Sequence, residues 1–497
     1  MMPAQTAVGQ GSIRGLLVGN PVLVKHLRSR LRPQHVLPLV AVVVALSICI
    51  AWVGVTSDQD GSAVAMMFVL QGLILFLVGA AAVATSVGTA RETGMLDFHR
   101  ISPQPATAVA LGFLLGAPVR EYILFACTLP FSLLLALAAR YSALAWLAVT
   151  FDLVVVSQLY CAIALLLGLA LPKRASATTL TLLAVVLFHM GWMTQTVGCL
   201  TILPTALGMF VGHTPSLPLG TAMLGFAAPP LFVSLFHQVP VFVLLLVAGA
   251  RKMHHESAYP LTKLDAVGCY LVAALLLLAD APAGFEMTPD VGAWALCYGL
   301  LFIGVLLSAL VTPGAGAFAK GVRRARKIGL PNLGLWDDQA PNWAVVLAFA
   351  VIFAVAAAAV GTLFPQRGWW HGMHPAGAGV VGAAAVMFFG LANQAFGLTF
   401  RRNSNPYLML LLFICWGLPL VVGLLVLSIS GGEDATSNLI LALSPLSGLA
   451  IMLMNGTTAS LATARTVALV ASSALAFAFI VFATRAVTRA RREAGEV

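Results

Sequence analysis

Long apolar runs separated by short polar breaks constrain this chain more than any other feature of its sequence. Twelve are present, near residues 37–55, 64–88, 120–139, 144–171, 177–199, 229–250, 265–281, 291–312, 344–364, 376–400, 406–429 and 461–484. A helix takes roughly 20 apolar residues to cross the hydrocarbon core of a bilayer. No water is available there to pair backbone amides and carbonyls, so a crossing segment must satisfy them internally, and uninterrupted apolar runs do this as α-helices. Composition points the same way: 60% of the 497 residues are hydrophobic and only 9% are charged, where soluble domains carry about 25% charged residues. The expected fold is all-α, a polytopic integral membrane protein of about twelve transmembrane helices. Between the fifth and sixth runs, CLTILPTALGMFVGHTPSLPLGTAMLGFAAPP is apolar but broken by Pro and Gly, as either a re-entrant segment or a plain loop would be.

The basic residues orient the runs. With the N-terminus inside, all of the 27 Lys and Arg except Arg140, Arg367 and Arg465 fall in inner segments, whereas Asp58, Asp60, Asp280, Glu286, Asp290, Glu433 and Asp434 fall outside. Cytoplasmic loops carry such an excess of Lys and Arg, so both termini are expected in the cytoplasm and the protein in the cell (inner) membrane. The net charge of +10 is spread over membrane-flanking loops, not gathered on one soluble face, so nucleic acid is not an expected partner. Seven cysteines lie in or beside apolar runs with no CxxC pair, so neither a disulfide framework nor a zinc site is indicated. The first residues lack a charged start, a long apolar core and a small-residue cleavage site, and no removed signal peptide is expected.

The sequence around the first two runs is more specific. Ahead of the first lies NPVLVKHLRSRLRP: Asn20 can cap a helix, Pro21 suits its first position and Pro33 ends it. Leu23, Leu27 and Leu31 form an apolar stripe beside the cations Lys25, Arg28, Arg30 and Arg32, the pattern of an interfacial amphipathic helix on anionic lipid. Between the second and third runs, TARETGMLDFHRISPQP (residues 89–105) concentrates charge and turn residues. A solvated loop has little use for Met95, Leu96 and Phe98. Either they lie back on the bilayer, or they fill a pocket on another protein while Arg91, Glu92, Asp97 and Arg100 fix the register electrostatically. Composition alone does not choose. After it, Gly112 and Gly116 are spaced for close helix packing.

A basic leading helix, two spans and an ARETGMLDFHRISPQP loop resemble the membrane-spanning permease subunits of type-2 ATP-binding-cassette (ABC) transporters. The loop in that family resembles RE-x-G-T-L-(x)n-SP; this chain matches at Arg91, Glu92, Gly94, Leu96, Ser102 and Pro103 and has Met95 where Thr is usual. The resemblance covers the first half of the chain and implies that residues 89–105 are a coupling loop seated in a separate nucleotide-binding ATPase subunit. Domain organisation is then expected as a cytoplasmic N-terminus with its interfacial helix (1–36), a six-span unit (37–250), a second six-span unit (251–484) and a basic tail (485–497). In the second half, GVRRARKIGLPNLGLWDDQAPNW before the ninth run can mimic the leading helix and FRRNSNPY the coupling loop.

No Gly-Lys pair exists anywhere in the chain, so it lacks the GxxxxGK[ST] loop that cradles phosphate. ATP and Mg are expected on the partner subunit, with no cofactor bound by this chain and no catalytic or metal-ligating residue of its own. SISGGED (428–434), RKMHHE and WWHGMH read as a Gly-rich turn, a solvated juxtamembrane segment and an aromatic belt. Polar residues inside the runs are expensive and therefore candidates: Asp152, His189, His237, Gln238, Asn393 and Gln394. Interhelical hydrogen bonding accounts for them before substrate contact does, and Asp152 has no cation within a helical turn. The expected function is the permease of an ABC exporter; an ion-coupled secondary transporter using Asp152 or the histidines, and a membrane-embedded enzyme, are the alternatives. The pathway is supplied either by one chain or by a pair of permease chains.

Overall fold

The apolar runs do form helices. The structure, a computed structural model, describes residues 20–56, 61–102, 104–171, 174–190, 199–211, 222–223, 226–254, 261–287, 289–330, 333–363, 374–400, 404–429, 435–454, 456 and 458–495. Apart from one two-residue strand pairing, these are helical or connecting residues. They form two compact units, Met1–Ala222 with Ala227–Pro260 and Met223–Phe226 with Leu261–Val497.

The first unit comprises α1 (Pro21–Arg30), α2 (Pro33–Thr56), α3 (Ser62–Glu92), α4 (Met95–Ile101), α5 (Ala106–Gly116), α6 (Val119–Ala138), α7 (Ala143–Ala170), α8 (Arg174–Met190), α9 (Leu203–Val211) and α10 (Pro230–His254). The second comprises α11 (Lys263–Met287), α12 (Pro289–Val311), α13 (Ala315–Lys327), α14 (Trp343–Leu363), α15 (Pro375–Thr399), then α16, which runs from Ser404–Leu412 through a π turn (Phe413–Gly417) into Leu418–Ile429. Two short helices, α17 (Ala435–Ala442) and α18 (Pro445–Leu453), and the 37-residue α19 (Ala459–Gly495) complete it.

Among the described residues, ten helices are long and apolar enough to cross a membrane: α2, α3, α6, α7 and α10 in the first unit, and α12, α14, α15, α16 and α19 in the second. The protein is thus a polytopic membrane protein. The other two runs, near 177–199 and 265–281, correspond to α8, with 17 residues, and α11, with 25. The expected boundaries shift because helices run through them. α10 continues to His254, so the units divide at Pro260 and Leu261 rather than at 250. The basic tail is no separate segment but the continuation of α19.

The first unit's core is built where α3 and α7 bury Val83, Val87, Leu153, Val156 and Leu165 against each other's small residues. α1 is fastened to α5 by complementary shape. Asn20 caps α1 by accepting from the amides of Val22 (3.0 Å) and Leu23 (3.3 Å), and its own amide donates to the Ala108 carbonyl at 2.5 Å. Val22 and His26 then face Gly112 and Gly116: a Cβ at 112 would lie 2.7 Å from the Val22 Cβ, and one at 116 would lie 2.9 Å from the His26 Cβ. The glycine pair therefore serves the close packing that its spacing suggested. The buried face of α1 differs from the expected leucine stripe: Leu23, Leu27 and Leu31 are half-buried, and Val22 with His26 makes the seat.

Apart from α1 and α5, the second unit follows the order of elements of the first. A short helix stands between its second and third long helices (α13), as α4 does in the first, and short helices stand between its fifth and sixth (α17, α18), as α9 does. By this order GVRRARK takes the place of the 89–105 loop rather than that of the leading helix; residues 401–403 of FRRNSNPY lie outside the described residues. α13 buries Phe318 and Val322 in one cluster with Ala483, Ala486 and Val487 of α19, buries Ala325 as well, and exposes Lys320, Arg323, Arg324, Arg326 and Lys327.

Gly112→Leu should unseat α1 at a cost of about 1–3 kcal/mol, the usual range for overpacking. Limited trypsin digestion should then cleave at Lys25, Arg28 and Arg30 faster than in the wild type. Gly397→Ala, where an added Cβ meets nothing within 4 Å, should leave the digestion pattern unchanged.

Candidate functional site

The 89–105 loop is shaped by helix ends. α3 stops at Glu92, and Gly94 adopts φ +72°, a left-handed conformation that side chains strain to reach, which lets the chain turn into α4. α4 closes where the Ser102 amide donates to Phe98 O (3.1 Å) and its hydroxyl to His99 O (2.8 Å). Pro103 lies outside the described residues.

Arg91, half-buried, and Glu92, exposed, both bond to other elements of the first unit. The Arg91 guanidinium donates to the carbonyls of Leu169 (3.0 Å) and Leu171 (2.8 Å), the free C-terminal end of α7. The Glu92 carboxylate accepts from the Arg174 amide (3.1 Å), the free N-terminal end of α8. Cation at a helix C-terminus and anion at an N-terminus also complement the two helix dipoles. Arg174 returns a bond to Thr89 Oγ1 at 3.2 Å, so the end of α3 is joined to both the end of α7 and the start of α8. Arg100, ion-paired with Asp97 at 2.5 Å, donates from Nε to Met253 O (3.4 Å) near the end of α10. These charges were expected to steer a partner; three of them instead fasten the loop to α7, α8 and α10.

The apolar residues divide as well. Leu96, expected to point outward with Met95 and Phe98, is 1% exposed and belongs to the core of its own unit. Met95, Phe98 and Ile101, three residues apart, share one outward side of α4 with exposures of 39, 64 and 84%. The sequence reading did not single out Ile101, although its i, i+3 spacing from Phe98 was the available signal. α1 borders this element: the Lys25 ammonium lies 3.5 Å from the Met95 sulfur, and His26 and His99 each pack edge-on against the Phe113 ring at 5.3 and 6.2 Å. Lys25, Arg28 and Arg32 are exposed, while Arg30 donates to Ser86 Oγ at 2.9 Å. Burial, with Arg30, Lys25 and His99 nearby, pushes the His26 pKa from 6.5 down to about 4. Burial and Lys25 lower that of His99.

A second cluster lies within the helices of the first unit. Asp152 of α7 is fully buried, and its two carboxylate oxygens accept from Thr205 Oγ1 of α9 (2.6 Å) and from Gln238 Nε2 of α10 (2.9 Å). Gln238 also reaches Cys199 O at 3.1 Å, and Thr205 lies 3.4 Å from Ser234. Asp152 is thus paired across helices by neutral donors. Thr205 and Ser234 were not anticipated; Ser234 stands one helical turn before Gln238, and Thr205 sits in the broken apolar stretch, of which α9 forms Leu203–Val211. His237 Nδ1 is held at 2.7 Å from Val233 O in its own helix. His189 is apart from this cluster, with Nδ1 2.9 Å from Val185 O and 3.3 Å from the Tyr160 hydroxyl. In the second unit Gln394 accepts from the Asn342 amide (3.2 Å) at the start of α14, and Asn393 beside it is half-buried.

Comparison of the chain with protein-family models, with curated proteins and with solved structures found no match.

Asp152→Leu should strand Gln238 and Thr205 and lower stability by about 1–3 kcal/mol, the cost of orphaned buried polar groups. Asp152→Asn, which keeps an acceptor and adds a donor that Thr205 can use, should cost less; thermal unfolding in detergent ranks the two. His26 gives a pH signature. Its docked pKa is depressed, so undocked α1 binds the extra proton between pH 6.5 and about 4, and docking weakens as pH falls through that window. Hydrogen exchange of α1 amides, corrected for intrinsic rate, should show the loss, and His26→Gln should abolish its pH dependence.

Proposed function

We propose that the chain is the membrane-spanning permease subunit of an ABC transporter that works as an exporter, with twelve spans, both termini cytoplasmic and α1 lying in the inner interface. The observation that carries this reading is the division of labour in α4. Its apolar residues Met95, Phe98 and Ile101 face outward, while Leu96, Arg91, Glu92 and Arg100 tie it to the ends of three long or spanning helices. An interfacial anchor needs the first property alone. A lever needs both: a partner that grips the outward face and moves it would pull on the ends of α7, α8 and α10 together. The partner is a separate ATPase subunit that carries ATP and Mg. Its closure moves α4, the spans part, and hydrolysis resets them.

A secondary transporter built on Asp152 is the competing reading. A proton or cation relay needs an approach to the carboxylate, and both oxygens are already engaged by Thr205 and Gln238.

Phe98→Ala with Ile101→Ala should release the ATPase or uncouple its hydrolysis, because buried anchors lose about 2 kcal/mol or more on truncation. Leu96→Ala should act differently, lowering the stability of the permease itself by about 2–5 kcal/mol. Purification in mild detergent, identification of a co-purifying GxxxxGK[ST] protein and its substrate-stimulated ATP hydrolysis provide the measurement. If the wild type brings down no such protein, or the double variant retains it with full coupling, the reading fails.

A further inference from the structure

At the end of the first unit remote from α4, the helices α3, α8 and α9 enclose a cavity of about 420 Å³, within the size range of small-molecule sites. Its walls are hydrocarbon and aromatic: Phe68 and Phe210 meet edge-on at 6.2 Å, Phe76 stands 5.5 Å from the His189 ring, and Ala206 lines the α9 side. His189 is the one polar side chain among the lining residues, and its Nδ1 is held by Val185 O at 2.9 Å. A carbonyl only accepts, so this nitrogen carries the proton and Nε2 is left as an acceptor. Part of the α3 wall, Leu73, Phe76 and Leu77, belongs to a π segment, Leu73–Gly79, inserted in an otherwise α-helical span. Such insertions widen a helix locally and occur often at functional sites.

The mouth lies between α3 and α8. Val69, Leu73 and Val186 at its rim are 60, 47 and 46% exposed on helices of a membrane protein, so the opening faces hydrocarbon rather than water. An apolar cavity of this kind does not hold water, and leaving it empty costs stability in proportion to its volume. Among the described lining residues there is no cation to attract an anionic head group. We propose that this cavity is a binding site for one acyl chain of a bilayer phospholipid, which enters between α3 and α8 and ends against α9. The site stands whether or not an ATPase docks on α4.

The test uses the full-length protein in vesicles of phosphatidylethanolamine and phosphatidylglycerol, doped with a phosphatidylcholine that carries a diazirine near the end of one chain. After illumination and digestion, peptides containing Leu73–Gly79 and Leu203–Val211 should be labelled more heavily than the lipid-facing residues Val42 and Val53 of α2, which are 56 and 59% exposed. Ala206→Trp fills the cavity and should remove the excess labelling while α2 labelling persists. Should that variant elute as aggregate, Leu73→Trp at the rim serves the same comparison, because its side chain already meets lipid. Labelling of the cavity no greater than that of α2, or excess labelling that survives both substitutions, overturns the proposal. So does disulfide cross-linking of two chains through Val186→Cys, which would show a second copy covering the mouth.

Discussion

The backbone carbonyl at a helix end is the group this structure has most to do for. It must leave the intrahelical ladder near hydrocarbon, where an unpaired polar atom costs more than in water. The chain answers with cations placed far away in sequence. Arg91 serves the end of α7 and Arg100 the end of α10. In the second unit Arg465, 6% exposed, donates to the carbonyls of Ile451, Met454 and Gly456 at the end of α18. Lys263, 1% exposed, reaches those of Ala340 and Pro341 at 2.6 and 3.1 Å just ahead of α14. Arg465 was one of three cations that broke the inner bias of positive charge. Its charge is spent on carbonyls of its own unit, so it carries little information about which side of the membrane it faces.

The same accounting gives the 89–105 loop its stiffness. Short helices such as α4 are not stable by propensity. This one is held by bonds from the residues around it to other elements and by Leu96 in its first turn. Arg91 and Arg100 are drawn partly out of solvent as tethers, while Glu92 and Asp97 stay exposed, Arg100 partly neutralising Asp97, and Lys25 of α1 is exposed beside Met95. A partner would therefore meet an apolar step flanked by a few charges rather than the wholly charged surface that the letters RETG suggest.

Helices, their order and the glycine seat of α1 were legible in the sequence because each follows from local rules: apolar length, a capping Asn with Pro, and a small-residue spacing. Roles within the loop were not. Whether Arg91 steers a partner or caps α7 depends on where residue 169 arrives, some eighty residues later, and no local pattern encodes that. Leu96 and Phe98 are equally apolar, and only the turn at Gly94 decides which of them points to the core. Asp152 was recognisable as an expensive residue in need of partners; its actual partners come from α9 and α10, one of which lay in a stretch too broken to be read as a helix.

The two units also show how one order of elements can carry unlike surfaces. α4 is seven residues long and turns apolar side chains outward, with Asp97 exposed beside them and Arg100 drawn in toward the end of α10. α13, in the corresponding place, is thirteen residues long, sinks Phe318 and Val322 into α19 and turns five cations outward. Beyond it, Ile328, Leu335 and Trp336 are 66, 65 and 44% exposed. Cations with an adjacent Trp suit anionic head groups or an acidic surface, whereas a mainly apolar step suits apolar contact. A contact made by α13 should therefore depend on salt more than one made by α4, because screening acts mainly on the denser charge. Similar topology in the two halves thus implies neither the same partner nor the same binding physics.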